Sequence, residues 1–198
     1  MKNTLYLLTA FINVILLFMP ASIQASNSDD IAIQKTIKSL IGSIRYGKDT
    51  SAAKKISFAD MAHELLQDDF NKFTANEQKE IISGLETIIK AISFAKGREM
   101  FKYLDAMLFT PAKIEAEHAR IKSTVVIHRN LKKTEIVLEW VLVKQKGSWK
   151  VIDTIMLGES TLKGLRDEQV KPLLEQGGTQ AVLKALRDKV AEVSQKEK

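Results

Sequence analysis

Cysteine is absent from this chain. No disulfide, thiolate nucleophile or cysteine-based metal site can therefore form, and stability has to come from core packing. The three histidines, His63, His118 and His128, have no second histidine at metal-ligand spacing, which excludes the usual zinc constellations. No nucleophile elbow is present either. Its pattern is G-x-S-x-G, and the chain reads Gly158-Glu159-Ser160-Thr161-Leu162, without the second glycine. Gly177-Gly178 lacks the Lys and Ser/Thr context of a phosphate-cradling loop. The Lys/Arg-rich strands carry no interleaved aromatic platform, so nucleic acid is not an expected partner. Neither a metal nor a cofactor is expected.

Long apolar runs are also missing, with one exception. Lys2 precedes the mostly apolar stretch Leu5 to Met19, and Pro20-Ala21-Ser22-Ile23-Gln24-Ala25 follows with small residues. This is the layout of a secretory signal peptide, with cleavage expected after Ala25. The run is short for a bilayer span, which needs ~20 apolar residues. Residues 26–198 are then expected to form one exported, soluble domain. About 170 residues suffice to bury ~70% of the surface exposed when unfolded.

Charge is unevenly spread. Residues 112–150 hold nine Lys and Arg against four Asp and Glu, whereas the segments on either side are balanced. Two readings stand: a solvated sheet face, or a docking surface for anionic lipid or an acidic partner.

Helical periodicity comes first along the chain. Ile33, Ile37, Leu40, Ile41 and Ile44 form one stripe ending near Gly47, after a polar start, SNSDD, that is expected to be loose. Ser57 can cap a helix with Phe58, Met61 and Leu65 inward. Thr74-Ala75-Asn76-Glu77 has capping-box spacing before Ile81, Leu85, Ile88 and Ile92. A further helix is predicted from about Gly97 to Leu108, stopping before Pro111. The period then changes to two. Ile121 to Ile127, Ile136 to Val143 and Trp149 to Leu157 read as three antiparallel strands in a meander, joined at Asn130-Leu131 and Lys146-Gly147. A helix from Ser160, bent at Pro172, and a last helix capped by Thr179 after Gly177-Gly178 complete the chain. The order helices, sheet, helices implies an α+β fold with the meander packed against helices.

Ser160 stands where a strand gives way to a helix, the place for a cap. Asp153 interrupts an apolar strand, either to satisfy neighbouring backbone or to meet a polar ligand group. Both faces of Trp149 to Leu157 are largely apolar, and so are both faces of Ile136 to Val143 apart from Glu139. A sheet with one wet face alternates more cleanly. Either helices cover both faces or one face lines a cavity.

The stretch Gly147-Ser148-Trp149-Lys150-Val151-Ile152-Asp153, then Gly158-x-Ser160, then Leu162 and Arg166, resembles the signature of the MlaC family of periplasmic phospholipid-binding proteins. Phe58-Ala59-Asp60-Met61-Ala62 and Phe73-Thr74-Ala75-Asn76-Glu77-Gln78 fit it as well. The resemblance covers roughly Ile56 to Lys189. It implies an apolar lipid pocket between sheet and helices and a periplasmic carrier without catalytic activity. Such a carrier exchanges phospholipid with an outer-membrane lipoprotein complex and an inner-membrane ABC transporter bearing an MCE-domain component, with transient contact at membrane surfaces. The residues expected to line the pocket are Phe58, Met61 and Leu65 on one helix, and Leu85, Ile88 and Ile92 on the next. Tyr103 and Leu104 are expected from the third, and Val125, Ile136, Leu138, Trp140, Leu142, Val151 and Ile155 from the strands. Trp140 is either part of this wall or plain core. A hopanoid or other apolar cargo is the alternative ligand. A small α+β enzyme with a cone-shaped pocket, using Asp153, Asp60 or His63, is the alternative activity. It would require two ionisable side chains to converge inside the pocket.

Overall fold

The computed structural model describes residues 22–196. The apolar run Leu5 to Met19 and most of the expected signal peptide lie outside the described residues.

Helices α1 (Ser22–Arg45), α2 (Asp49–Ala53), α3 (Phe58–Leu66), α4 (Ala75–Ile88) and α5 (Ala95–Phe101) come first. A 3₁₀ turn, Gln67–Lys72, follows α3, and a π segment, Ile89–Phe94, joins α4 to α5. Six strands come next: β1 (Leu104–Phe109), β2 (Lys113–Glu115), β3 (His118–Arg129), β4 (Lys132–Gln145), β5 (Ser148–Met156) and β6 (Glu159–Ser160). Helix α6 (Thr161–Leu165), a π segment (Arg166–Val170) and α7 (Lys171–Lys196) end the chain. The sheet is antiparallel in the order β1-β3-β4-β5-β6, and β2 pairs with β3. The fold is α+β, with the meander packed against helices.

Local chemistry explains most of these boundaries. The Ser57 and Thr74 hydroxyls accept from the Asp60 and Glu77 amides, and Glu77 reaches back to the Thr74 amide at 2.8 Å, closing the capping box. The π segment Arg166–Val170 sits directly before Pro172, whose ring forbids a regular helical hydrogen bond. Gly177 and Gly178 break the helical path inside α7. Three hairpin tips, Asn130-Leu131, Lys146-Gly147 and Leu157-Gly158, hold two consecutive residues at positive φ. That is the backbone of the two-residue turn whose twist matches the flanking strands.

Two expectations fail. The segment to Leu108 does not continue the helix. The helix stops at Phe101, and Leu104 begins the edge strand β1, with Leu104 opposite Ile127, Met107 opposite Val125 and Phe109 opposite Ser123. Pairing with the apolar flank of β3 outweighs the weak helical preference of so short a segment. The start SNSDD is not loose but lies in α1. There the Asp29 carboxylate accepts from Lys144 Nζ at 2.9 Å and from the Trp149 indole N–H at 3.0 Å. These two bonds, the Lys144 bond foremost, hold the Asp29 carboxyl below the usual aspartate range. Asp30 accepts from the Ala112 amide at 2.7 Å. Helix α1 is thereby tied to β4, β5 and the chain before β2.

Candidate functional site: the helix-facing sheet wall

Alternation along β3 and β4 divides the sheet cleanly. Ile121 pairs with Trp140, Ser123 with Leu138, Val125 with Ile136 and Ala119 with Leu142, so these side chains share the face toward the helices. Val125 and Leu142 are fully buried, and Trp140 and Leu138 nearly so. Glu139, Lys122 and Arg120 occupy the other face with the exposed Val137. The double apolar character of β5 has a local cause. A bulge shifts its register between Val141/Asp153 and Leu142/Val151, so consecutive Val151 and Ile152 are both buried.

The expected lining residues fall into two apolar clusters. The first joins Val125, Leu138, Trp140, Leu142 and Val151 to the α1 stripe and to Phe94 and Phe101, with Leu104 and Ile136 half-buried at its margin. The second joins Phe58, Met61, Leu65 and Leu85 to α6 and α7. Ile56 and Ile89 pack against both clusters and form the seam between them. Ile88 and Ile92 are half-buried and belong to neither. Ile155 pairs with Glu139 and so lies on the opposite face of the sheet. Tyr103 is exposed, with Lys102 and Arg129 over its ring. The helix face expected to carry Tyr103 and Leu104 together does not exist. Sequence periodicity misses Ile56, Ile89, Met107 and Phe109, because each sits in a short or irregular segment. Close helix-to-sheet packing runs along β5, where α1, α3 and α6 lie. Over β3 and β4 the layers meet through these apolar side chains.

The Trp140 N–H donates to the Ser123 hydroxyl at 2.8 Å, and Ser123 is itself buried. The single polar position in the β3 stripe is therefore the partner of the single indole in the β4 stripe, which satisfies both groups away from water. At the margin of the first cluster, an open groove of about 270 Å³ runs between α1 and β1, lined by Ile41, Leu104 and Met107 together with the charged Lys38, Arg45 and Asp105.

The polar candidates do structural work. Asp153 Oδ1 accepts from the Thr154 amide at 2.7 Å and the Leu162 amide at 3.1 Å. Its Oδ2 accepts the Ser160 O–H at 2.5 Å, and Ser160 Oγ accepts from the Lys163 amide at 3.0 Å. Together they cap α6, which explains why Gly158-Glu159-Ser160 ends an apolar strand. Asp60 accepts from Ser57 Oγ at 2.5 Å and from the Gln145 amide group, joining α3 to the end of β4. His63 packs against the Phe70 ring. Among the described residues the buried polar side chains are Ser57 and Ser123, so no two ionisable groups converge inside either cluster. Also among the described residues, no group of His, Asp and Glu could hold a metal, and no helix is long and apolar enough to cross a membrane.

The phospholipid-binding protein from Ralstonia solanacearum, solved in complex with a phospholipid, superposes with a TM-score of 0.67. The alignment covers 83% of this chain and 98% of that one at 13% identity, a likeness of fold. A protein of unknown function from Mycobacterium tuberculosis aligns over 88% of this chain and 94% of its own at 10% identity, with a TM-score of 0.38, too low to carry weight. No curated protein sequence matches. The family model described as MlaC protein matches residues 31–188, spanning the larger part of α1, the whole sheet and most of α7. By that match the chain belongs to the MlaC family.

Proposed function

We propose that this protein is an exported carrier that holds phospholipid by its acyl chains against the helix-facing wall of the sheet. It shuttles lipid between an outer-membrane lipoprotein complex and an inner-membrane MCE-type ABC transporter, which maintains outer-membrane lipid asymmetry. The observation that carries this reading is the wall itself: Val125, Ile136, Leu138, Trp140 and Leu142 share one continuous apolar face, free of ionisable groups, in a chain of this family. Leu104 and Ile136 mark the margin, and the groove between α1 and β1 is the proposed way in.

Apolar burial contributes ~0.8 kcal/mol per CH₂ relative to water. A bilayer offers the chains an equally apolar surrounding, so exchange between membrane and carrier is close to balanced and a transporter can set its direction. The expected signal cleavage after Ala25 would trim the first residues of α1 and keep Asp29 and Asp30, its anchors to the sheet.

Protein purified from the periplasmic fraction should begin at or near Ser26 and yield about one phospholipid per chain on extraction and mass spectrometry. A hopanoid in the extract would change the cargo and leave the carrier. A lipid-free protein that takes up no acyl chain from vesicles would remove the proposal.

Trp140 offers a direct probe. A Trp149→Phe variant leaves it as the sole tryptophan of the two. The variant gives up the bond to Asp29, so stability should fall by about 1 kcal/mol. Loading it with phospholipid brominated along the acyl chains should quench its fluorescence strongly, and unbrominated lipid should not. Little quenching in a loaded protein would make Trp140 plain core.

A further inference from the structure

Two leucines stand at hairpin tips in a conformation that leucine disfavours. Leu131 has φ 62° and is fully exposed, and Leu157 has φ 55° and is 95% exposed. The left-handed region is the province of glycine and asparagine, which fit these tips without steric cost and without offering apolar surface to water. Nothing in the fold packs on either side chain.

The tips point the same way along the sheet, because β3 and β5 both run antiparallel to β4. Leu131 precedes Lys132, the first residue of β4, while Leu157 follows Met156, which pairs with Leu138 of the same strand. The tips are therefore offset by about six residues, roughly 20 Å along the strand direction. A plane touching both lies oblique to the strands. The Leu131 end of the sheet holds Tyr103, whose carbonyl accepts from the His128 amide, and the margin of the apolar wall at Leu104 and Ile136.

The charge around the Leu131 tip is basic. Lys102, Arg129, Lys132 and Lys133 lie there, against Asp105, which faces His128, and Glu135, which faces Lys133, while Glu159 lies beside the Leu157 tip. Lys146, which belongs to the same basic segment of sequence, sits at the opposite end on the β4–β5 tip. The excess read along residues 112–150 is thus not one patch.

We infer that this end of the sheet is a docking surface for an anionic lipid bilayer, with Leu131 and Leu157 entering the interface and the basic residues meeting lipid phosphates. Exposed leucines with Lys and Arg beside them are what an interfacial contact needs: apolar area to enter the headgroup boundary and cations to hold anionic headgroups. The inference rests on the carrier reading, because docking here presents the margin of the apolar wall to the membrane.

The test uses the full mature protein, with vesicles of phosphatidylcholine alone or mixed with phosphatidylglycerol, at low and high salt. Wild type should bind the mixed vesicles more tightly, by about fivefold for each basic residue that engages, and salt should weaken the binding. A Leu131→Asn, Leu157→Asn double variant keeps residues suited to these turns, so folding should hold. Its partitioning should fall about tenfold or more, while the lipid it carries after purification stays at the wild-type level. Because the chain has no cysteine, Leu131→Cys and Lys146→Cys can each carry one polarity-sensitive dye. The dye at 131 should shift to the blue on mixed vesicles, and the dye at 146 should not. Undiminished binding by the double variant, absence of binding by wild type, or an equal response at 146 overturns the docking surface. Loss of bound lipid from wild type would instead overturn the carrier reading.

Discussion

Replacing Ile136 by glutamate is expected to empty the protein of lipid while leaving it folded. Ile136 is half-buried at the margin of the first cluster, opposite the fully buried Val125. A carboxylate at that position can turn toward water when no chain lies against it, so the loss of stability should stay near about 1–2 kcal/mol. An acyl chain on the wall would strip that water away, and desolvating an unpaired charge costs several kcal/mol, or more than 10²-fold in occupancy. The measurement is the molar ratio of extracted phospholipid to protein, with a thermal melt alongside. A folded variant carrying lipid at the wild-type ratio would take Ile136 off the lipid path. Ile136→Leu should load normally, because it keeps the apolar surface.

Asp153→Ala should produce the largest loss of stability among the polar positions, about 2–4 kcal/mol. One carboxylate serves two backbone amides and the Ser160 hydroxyl, so removing it strands the Leu162 amide at the start of α6 and frees the Ser160 side chain. Helix α6 packs on β5 and α3 and leads into the π segment before α7, so the second apolar cluster should loosen with it. Chemical denaturation gives the size of the effect, and Asp153→Asn should recover part of it through its remaining carbonyl. An alanine variant with an unchanged midpoint would mean that water replaces the carboxylate without cost. Because Asp153 acts through the cap of α6 and is not one of the wall residues, lipid loading should track folding and show no separate defect.

Much of this was legible in the chain. The α1 stripe from Ile33 to Ile44, the caps at Ser57, Thr74 and Ser160, the period-two run through Ile121, Val125, Leu138 and Trp140, and the turns at Asn130 and Gly147 are all local. A few neighbouring residues fix them through hydrogen bonding, φ preference and the 3.6 or 2.0 period of side-chain direction. The motif spacing around Trp149, Asp153 and Ser160 carried the family resemblance, and the family match extends it across residues 31–188.

Other features required the assembled chain. Leu104 to Phe109 lacks a strong preference of its own and becomes strand because the flank of β3 is there to pair with it. Tyr103 and Ile155 look equivalent to their apolar neighbours in one dimension, yet a helix end and a bulge send them away from the wall. The division of the interior into two clusters meeting at Ile56 and Ile89 depends on which helices reach which strands, a long-range outcome with no signal at either residue. The basic excess of 112–150 was visible as a count, but strand direction decided that Lys132 and Lys133 lie at one end and Lys146 at the other. Sequence alone determined what each segment could be, through local hydrogen bonding and periodicity. Tertiary structure decided which surfaces are shared, because pairing and burial between distant segments outweigh preferences worth only about 1 kcal/mol per residue.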